Sequence, residues 1–186
     1  MGITDLLEAL KNEIQNALKG MLLEVNPSTG DYEEDHNLPL EPDLESERPE
    51  RPEQEKKRRP PTVYKMNLPE REDYLSRIPY VLIQFLSSKD ELEKDENDRQ
   101  SIANIRVLIA IYDSDGEDGG LRVLEIIERI RLRLQAGMLL DQNFMLQMPF
   151  NAEVYPDDTG NYFLGEINMV WSIPTIDRTK YYIEEV

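Results

Sequence analysis

The sequence predicts an α+β fold: a mostly antiparallel sheet of about five strands with two packed helices and a long, charged, proline-rich arm. Two segments space apolar residues three and four apart, as on one face of a helix. Two later segments alternate apolar and polar residues, as in a hairpin. Residues 26–78 hold 8 of the 12 prolines, with 14 acidic and 9 basic residues and few aliphatic ones.

These differences divide the chain of 186 residues into a core and two extensions. Residues 1–25 supply the N-terminal helix and a short strand of the core domain, and residues 79–174 supply the rest of it. Residues 26–78 form the arm, and residues 175–186 form a C-terminal tail. The core segments are long enough to bury a hydrophobic interior of ordinary size.

Charge and composition exclude several classes of function. With 38 acidic and 21 basic residues the net charge is −17, which disfavours sequence-specific binding of nucleic acid and binding to anionic membranes. The chain has no cysteine, which excludes thiolate chemistry. No apolar run approaches the 20 or so residues that cross a bilayer, and no basic region precedes a hydrophobic stretch at the N-terminus. We therefore expect no membrane partner.

The first helix is predicted over residues 3–18, with Thr4 as N-cap and Gly20 as the stop. Met21–Val25 follows as a short strand, which Asn26 and Pro27 end.

In the arm, acidic residues alternate with prolines over residues 41–55, a pattern typical of a solvated extended chain. A more specific hypothesis is an arm that becomes ordered on a neighbouring subunit. A basic group follows, and pairing with nearby acids is favoured over a phosphate contact. The group comprises Lys56, Lys57, Arg58 and Arg59.

The core resumes with two predicted central strands, residues 80–86 and 105–112, both rich in β-branched residues. Between them, residues 87–104 carry 6 acidic and 3 basic residues and predict a polar loop with a helical turn at residues 90–96. The second helix is predicted from about Leu121 to Gln135, with Glu125 and Arg129 paired on its outer side and Gly137 as its end.

The hairpin is the strongest structural signal. Residues 144–154 and 163–173 alternate in period two around a polar turn at residues 156–161. Pro149 predicts an edge position or a bulge, since proline donates no ladder hydrogen bond. Trp171 is in phase with the buried face.

No catalytic, cofactor or metal site is predicted. The acidic turn of Asp113, Asp115, Glu117 and Asp118 fails as an EF-hand, because it has Asp118 where glycine is needed and Leu124 where a bidentate glutamate is needed. It is better explained as a strand-to-helix connection in which Asp118 or a neighbour caps the helix.

Other candidate catalytic groups are equally weak. The lone His36 lies in the arm, away from any apolar pocket signal. Glu153 and Glu166 face outward on the hairpin, where solvated surface acids are expected rather than an acid–base pair. The sequence therefore predicts that the protein is not an enzyme. Tyrosines on the extensions are candidate anchors for another chain: Tyr64, Tyr74, Tyr181 and Tyr182.

The order of these elements resembles the tail terminator, or tail completion, proteins of long-tailed bacteriophages and related phage-tail-like particles. The resemblance covers residues 1–25 and 79–176. It rests on the helix at residues 3–18, the strand at residues 105–113 with the acidic glycine turn and helix after it, and the closing strand from Phe163 to Pro174.

This resemblance implies a structural virion protein of the tail or neck, assembled in the bacterial host cytoplasm. Its subunits form a homo-oligomeric ring, typically a hexamer, that caps the tail tube, ends its polymerisation and joins it to the neck. The implied partners are the tail tube protein and a head–tail connector or neck protein, and DNA passes through the lumen. The net negative charge suggests an acidic lumen to which passing DNA does not adhere.

Three alternatives stay open from the sequence. A different neck ring, such as a head completion or connector protein, belongs to the same class. A monomeric acidic adaptor that binds a partner through its disordered arm fits the composition equally. A calcium-dependent enzyme is the remotest of the three.

Overall fold

A computed structural model describes residues 2–26, 57–69, 75–92, 99–115, 118–155 and 160–174. Two helices, α1 (Ile3–Ala17) and α2 (Gly119–Ala136), pack against a six-stranded sheet, which confirms the α+β fold. The strands are β1 (Leu23–Glu24), β2 (Arg58–Arg59), β3 (Thr62–Lys65), β4 (Tyr80–Leu92), β5 (Arg99–Tyr112), β6 (Leu139–Leu140), β7 (Phe144–Val154) and β8 (Tyr162–Ile173).

The main sheet has the order β3-β4-β5-β8-β7-β6, and β1 pairs with β2 in a separate two-stranded sheet. All pairs are antiparallel except β3 with β4. About five strands were predicted, whereas the main sheet has six. The prediction missed β3 and β6, which are only four and two residues long and show no alternation of their own. The strand predicted at Met21–Val25 is confirmed as β1, which lies in the two-stranded sheet. Both are edge strands.

The core lies between the two helices and one face of the sheet. Helix α1 contacts β3 and β4, α2 contacts β5, β7 and β8, and the helices contact each other. Alternate residues of β5 point into this core, and Trp171 of β8 is fully buried in it, as predicted. The predicted stripe of α2 is buried throughout: Val123, Ile126, Ile127, Ile130 and Leu134.

The ends of the helices differ from the prediction in detail. Gly2, not Thr4, is the N-cap of α1, and its N–H donates to the carboxylate of Asp5 at 2.7 Å. Thr4 is in the first turn instead, because Asp5 stabilises a helix start two residues earlier than expected. Gly20 follows the end of α1 with a φ of 82°, a conformation that favours glycine. Gly137 ends α2, as predicted.

Part of the predicted arm belongs to the folded core. Val63 of β3 is buried under α1, and β2 pairs with β1, so residues 58–65 contribute strands although the sequence assigned them to the arm. The sequence shows no strand pattern here, because charged residues and prolines surround these strands. An edge strand this short also needs only one buried side chain, which is too few to produce an alternation. The section of the arm at residues 27–56 and the tail at residues 175–186 lie outside the described residues.

The polar loop predicted at residues 87–104 is mostly strand. Strands β4 and β5 continue as one antiparallel ladder to the pair Leu92 and Arg99, with a bulge between Phe85 and Ser87. The loop was expected because residues 87–90 are polar or charged and exposed on both faces, which removes the alternation that predicts a strand. The helical turn predicted at residues 90–96 is wrong for residues 90–92, which are in β4; residues 93–98 are not described.

Candidate interaction surfaces

The face of the sheet opposite the helices is the largest feature that the core does not use. Neither α-helix packs on it, and most of its side chains are half-buried. Directly paired residues of neighbouring strands share a face, so the register identifies its members. We call this surface the open face.

A row of polar side chains crosses the open face at right angles to the strands. Gln84, Arg106, Asn168 and Asn151 are successive partners across β4, β5, β8 and β7. Both Nε and Nη2 of Arg106 donate to Oε1 of Gln84, at 3.1 and 2.8 Å. The row therefore presents amide groups on a rigid, hydrogen-bonded support.

Every tyrosine in the described ranges lies on this face. Tyr64 and Tyr80 stack edge to face with ring centroids 6.4 Å apart, and Tyr112 and Tyr162 do the same at 5.5 Å. Tyr155 completes the set. Tyrosine combines a large apolar ring with a polar tip, and it is enriched where proteins bind each other. The predicted role of Tyr64 as an anchor is compatible with this position, whereas Tyr74, Tyr181 and Tyr182 lie outside the described residues.

The structure brings Glu153 and Glu166 together as direct cross-strand partners. Glu166 accepts hydrogen bonds from the Tyr155 hydroxyl at 2.7 Å and from Asn168 Nδ2 at 2.6 Å. The bond from Tyr155 lowers the pKa of Glu166, with Asn168 and the charge of Arg106 acting in the same direction against partial burial. A carboxylate held ionised in this way is a poor general acid, for which a raised pKa is needed.

The acidic turn after β5 has a structural role in the described chain. Asp113 is 1% exposed; its Oδ1 accepts the N–H of Asp115 at 3.0 Å and its Oδ2 pairs with Arg122 Nε at 2.5 Å. Asp118 is the N-cap of α2, as predicted, although its side chain makes no capping hydrogen bond. Glu117 is not described. The strand-to-helix connection is held by Asp113, which anchors the first turn of α2 through Arg122.

The two-stranded sheet docks on the same turn through a buried carboxylate. Glu24 of β1 accepts bonds from the N–H and hydroxyl of Ser114 at 3.1 and 2.7 Å, and Arg58 approaches it at 3.8 Å. The predicted pairing of the basic group with acids is thus confirmed for Arg58, although its partner precedes the arm. Lys56 and His36 lie in the part of the chain left undescribed.

The two edges of the main sheet are incompletely covered. Strand β3 pairs with β4 only from Tyr80 to Ile83, and β6 pairs with β7 only at Phe144 and Met145. Among the described strands, none pairs with the outer side of β4 from residue 86 to 92 or with that of β7 from residue 147 to 154. The register of β7 shifts between Gln147 and Asn151, which confirms the bulge predicted at Pro149.

Features typical of enzymes or metal proteins are few. Within residues 2–26, 57–69, 75–92, 99–115, 118–155 and 160–174, no three His, Cys, Asp or Glu residues are grouped to hold a metal ion. A groove of about 330 Å³ lies beside the end of α2, but two of its three charged residues, Arg133 and Glu13, pair with each other at 2.5 Å. No helix in the described ranges is both long and apolar enough to cross a bilayer.

Comparisons with known proteins give a limited structural likeness. No protein-family model matches the sequence, and no curated protein does. A solved structure described as the virion of a native gene transfer agent particle contains a chain that is similar at 10% sequence identity with a TM-score of 0.39. The alignment covers 60% of this chain and 78% of that one.

Proposed function

We propose that this chain is a structural subunit of a phage-like virion that forms a ring, caps the tail tube, ends its polymerisation and joins it to the neck. The order of the elements, which resembles that of tail terminator proteins, motivates the proposal. The observation that carries it is the pair of strand stretches that no other described strand covers, residues 86–92 of β4 and 147–154 of β7.

These two stretches face away from each other across the same sheet. Exposed strand edges pair readily with other chains. A contact between the β4 edge of one subunit and the β7 edge of the next is heterologous, because unlike surfaces meet. Such a contact repeats in one direction and closes into a ring when the rotation per subunit divides a full turn.

The open face gives the ring a second surface for a different partner. Its described charged groups, Lys89 and Arg106 against Glu153 and Glu166, balance in sign. A neutral face with amides and tyrosines is suited to a protein partner such as the tube subunit, and it offers no basic patch for DNA. On this proposal the protein acts by shape and charge, and transforms no substrate.

The experiment is light scattering on the purified chain, alone and mixed with its tube subunit, followed by negative-stain imaging of tube length. We expect a ring-sized mass, alone or once the tube subunit is added, and tubes of shortened, uniform length. A chain that stays monomeric beside a polymerising tube, with tube length unchanged, contradicts the proposal. A ring that binds a connector but not the tube supports the other neck-ring function instead.

One observation favours the acidic adaptor as a second candidate. Of the 38 acidic and 21 basic residues, 24 acids and 7 bases fall outside the described ranges, which leaves 14 of each sign within them. The net charge of −17 therefore belongs to segments beyond the described fold, and residues 27–56, with 11 acids and 3 bases, contribute −8 of it. This is the pattern expected for a neutral domain with an acidic binding arm. A monomer that binds a basic partner, and loses it when residues 27–56 are deleted, supports the adaptor.

A further inference from the structure

The groove beside the end of α2 is used neither by the core nor by the proposed ring. It lies between Glu13 of α1, the last turn of α2 and strand β6, and its volume is about 330 Å³. Sites for small ligands measure roughly 300–1,000 Å³, so this groove suits one or two side chains rather than a large ligand. Its lining residues Gly137, Leu139 and Asp141 are exposed, so a group from outside the molecule can reach it.

Much of the groove wall is apolar. Leu134 and Leu140 line it and belong to the buried core, whereas Leu139 is 56% exposed. Exposed apolar surface continues beyond the groove to Met138 and to Met145, the direct cross-strand partner of Leu139. Methionine side chains adapt their shape to a partner, and grouped apolar side chains on a surface are typical of protein-binding sites.

The groove carries one uncompensated negative charge. Glu13 and Arg133 pair with each other at 2.5 Å, so their charges cancel. The carboxylate of Asp141, the third charged residue, forms no hydrogen bond or ion pair with the described chain. The last turn of α2 also lines the groove, and the carbonyl end of a helix carries partial negative charge. A cation is therefore the favoured occupant.

The turn between β6 and β7 fixes the position of Asp141. The N–H of Asn143 donates to the carbonyl oxygen of Leu140 at 3.1 Å, and φ is 47° at Asp141 and 60° at Gln142. Two successive positive φ values inside this hydrogen bond are typical of a type I′ turn. Asparagine adopts such a conformation as readily as aspartate. Asp141→Asn therefore removes the charge and keeps the turn.

We propose that this groove binds a lysine or arginine side chain of a partner protein, with the aliphatic stem on the leucine wall and the cationic end beside Asp141. Basic side chains combine an apolar stem with a charged end, which matches the two parts of the groove. The partner is not a second copy, because two chains that each carry a net charge of −17 repel each other. The inference rests on neither the proposed ring nor the adaptor, since the groove lies apart from the free strand edges and from residues 27–56.

The test is a titration of the isotope-labelled full chain with the peptide acetyl-Leu-Arg-Leu amide, followed through the NMR signals of the backbone amides. We expect saturable shifts centred on Gly137, Leu139 and Asp141. The same peptide with citrulline, which is neutral and close to arginine in shape, should bind about three- to tenfold more weakly. Asp141→Asn should bind both peptides equally. The matched control Asp115→Asn, at an exposed position of another turn, should keep the preference for arginine.

Three further measurements complete the test. Salt at about 0.5 M should reduce the preference of the wild type for arginine, which gives a readout even if Asp141→Asn fails to fold. Putrescine should bind more weakly than the arginine peptide, and equal binding would assign the groove to free diamines instead. Self-association that Asp141→Asn abolishes, measured by light scattering, would make a second copy the occupant. Either of these last two results overturns the proposal, as would equal affinity of the wild type for the arginine and citrulline peptides.

Discussion

At the scale of single residues, the buried carboxylate of Asp113 sets the geometry of the turn between β5 and α2. The sequence placed it in an acidic cluster, and residue type alone does not distinguish it from Asp115 or Asp118. Burial distinguishes the three residues, because Asp113 is 1% exposed whereas Asp115 and Asp118 are exposed. Which of the three aspartates is buried depends on where α2 places Arg122. That position is set by tertiary packing, and no local sequence pattern encodes it.

We expect Arg122→Met to lower the free energy of unfolding by about 3 kcal/mol, because it leaves the Asp113 carboxylate buried without its counter-ion. Urea denaturation measures this change. The matched control is Arg129→Met on the same helix, which removes an exposed pair with Glu125 at 2.8 Å and should cost about 0.5 kcal/mol or less. Equal losses for the two variants would contradict the role assigned to Asp113.

A second residue-scale prediction concerns pH. The Tyr155 hydroxyl lowers the pKa of Glu166 below its usual 4.5, so the associated stability is complete above that pH and is lost as pH falls through the lowered pKa. Tyr155→Phe should therefore reduce the melting temperature near pH 7, by the equivalent of about 1 kcal/mol since the pair is open to solvent. The difference from wild type should disappear in acid. Tyr64→Phe, on the same face, is the control and should show no such pH dependence.

At the scale of elements, the close approach of α2 to β8 depends on a glycine. A Cβ atom on Gly165 would lie 2.5 Å from Val123 Cγ1 and 3.2 Å from the Glu153 carbonyl oxygen. Neither neighbour is the far end of a flexible side chain, so the helix would have to move away from the sheet.

Gly165→Ala should accordingly destabilise the protein by about 1–3 kcal/mol. Gly120→Ala is the matched control, since a Cβ there meets nothing within 4 Å and alanine favours the first turn of α2 by up to about 1 kcal/mol. Chemical denaturation of both variants should give effects of opposite sign. A neutral Gly165→Ala would mean that the helix does not pack this closely on β8.

Long elements were predictable from sequence, whereas most short ones were not. The 11- and 12-residue strands β7 and β8 repeat their alternation often enough to identify the hairpin. The short strand predicted at Met21–Val25 is confirmed as β1. The two-residue strands β2 and β6 exist through pairing across the chain, which leaves no local period to find. For the interaction surfaces, the sequence indicated only tyrosines as candidate anchors. The free stretches of β4 and β7 follow from how few residues the described strands β3 and β6 pair with, which is a property of the assembled sheet.

At the scale of the whole molecule, the balance of charge changes the expectation for a ring. The sequence suggested an acidic lumen from the total of −17, but the described fold holds equal numbers of acidic and basic residues. Repulsion of passing DNA would therefore have to come from the acidic segments rather than from the sheet. A ring with a basic lumen would contradict that role.

A ring that forms through the β7 edge should be sensitive to a substitution on that edge. Ala152 is exposed at the uncovered edge, and a lysine there opposes pairing with another strand. We expect Ala152→Lys to leave the melting temperature nearly unchanged and to lower the assembled mass measured by light scattering. Ala136→Lys, the same substitution on an exposed position of α2, should assemble like the wild type. Assembly of Ala152→Lys to full mass would exclude this edge from the interface.

The chain contains a single tryptophan, and Trp171 is fully enclosed between the helices and the sheet. Its fluorescence thus arises from one apolar environment, remote from solvent in the native protein. When the protein unfolds, Trp171 leaves the apolar core and its emission shifts to longer wavelength. The tryptophan therefore provides an optical signal for unfolding that needs no label.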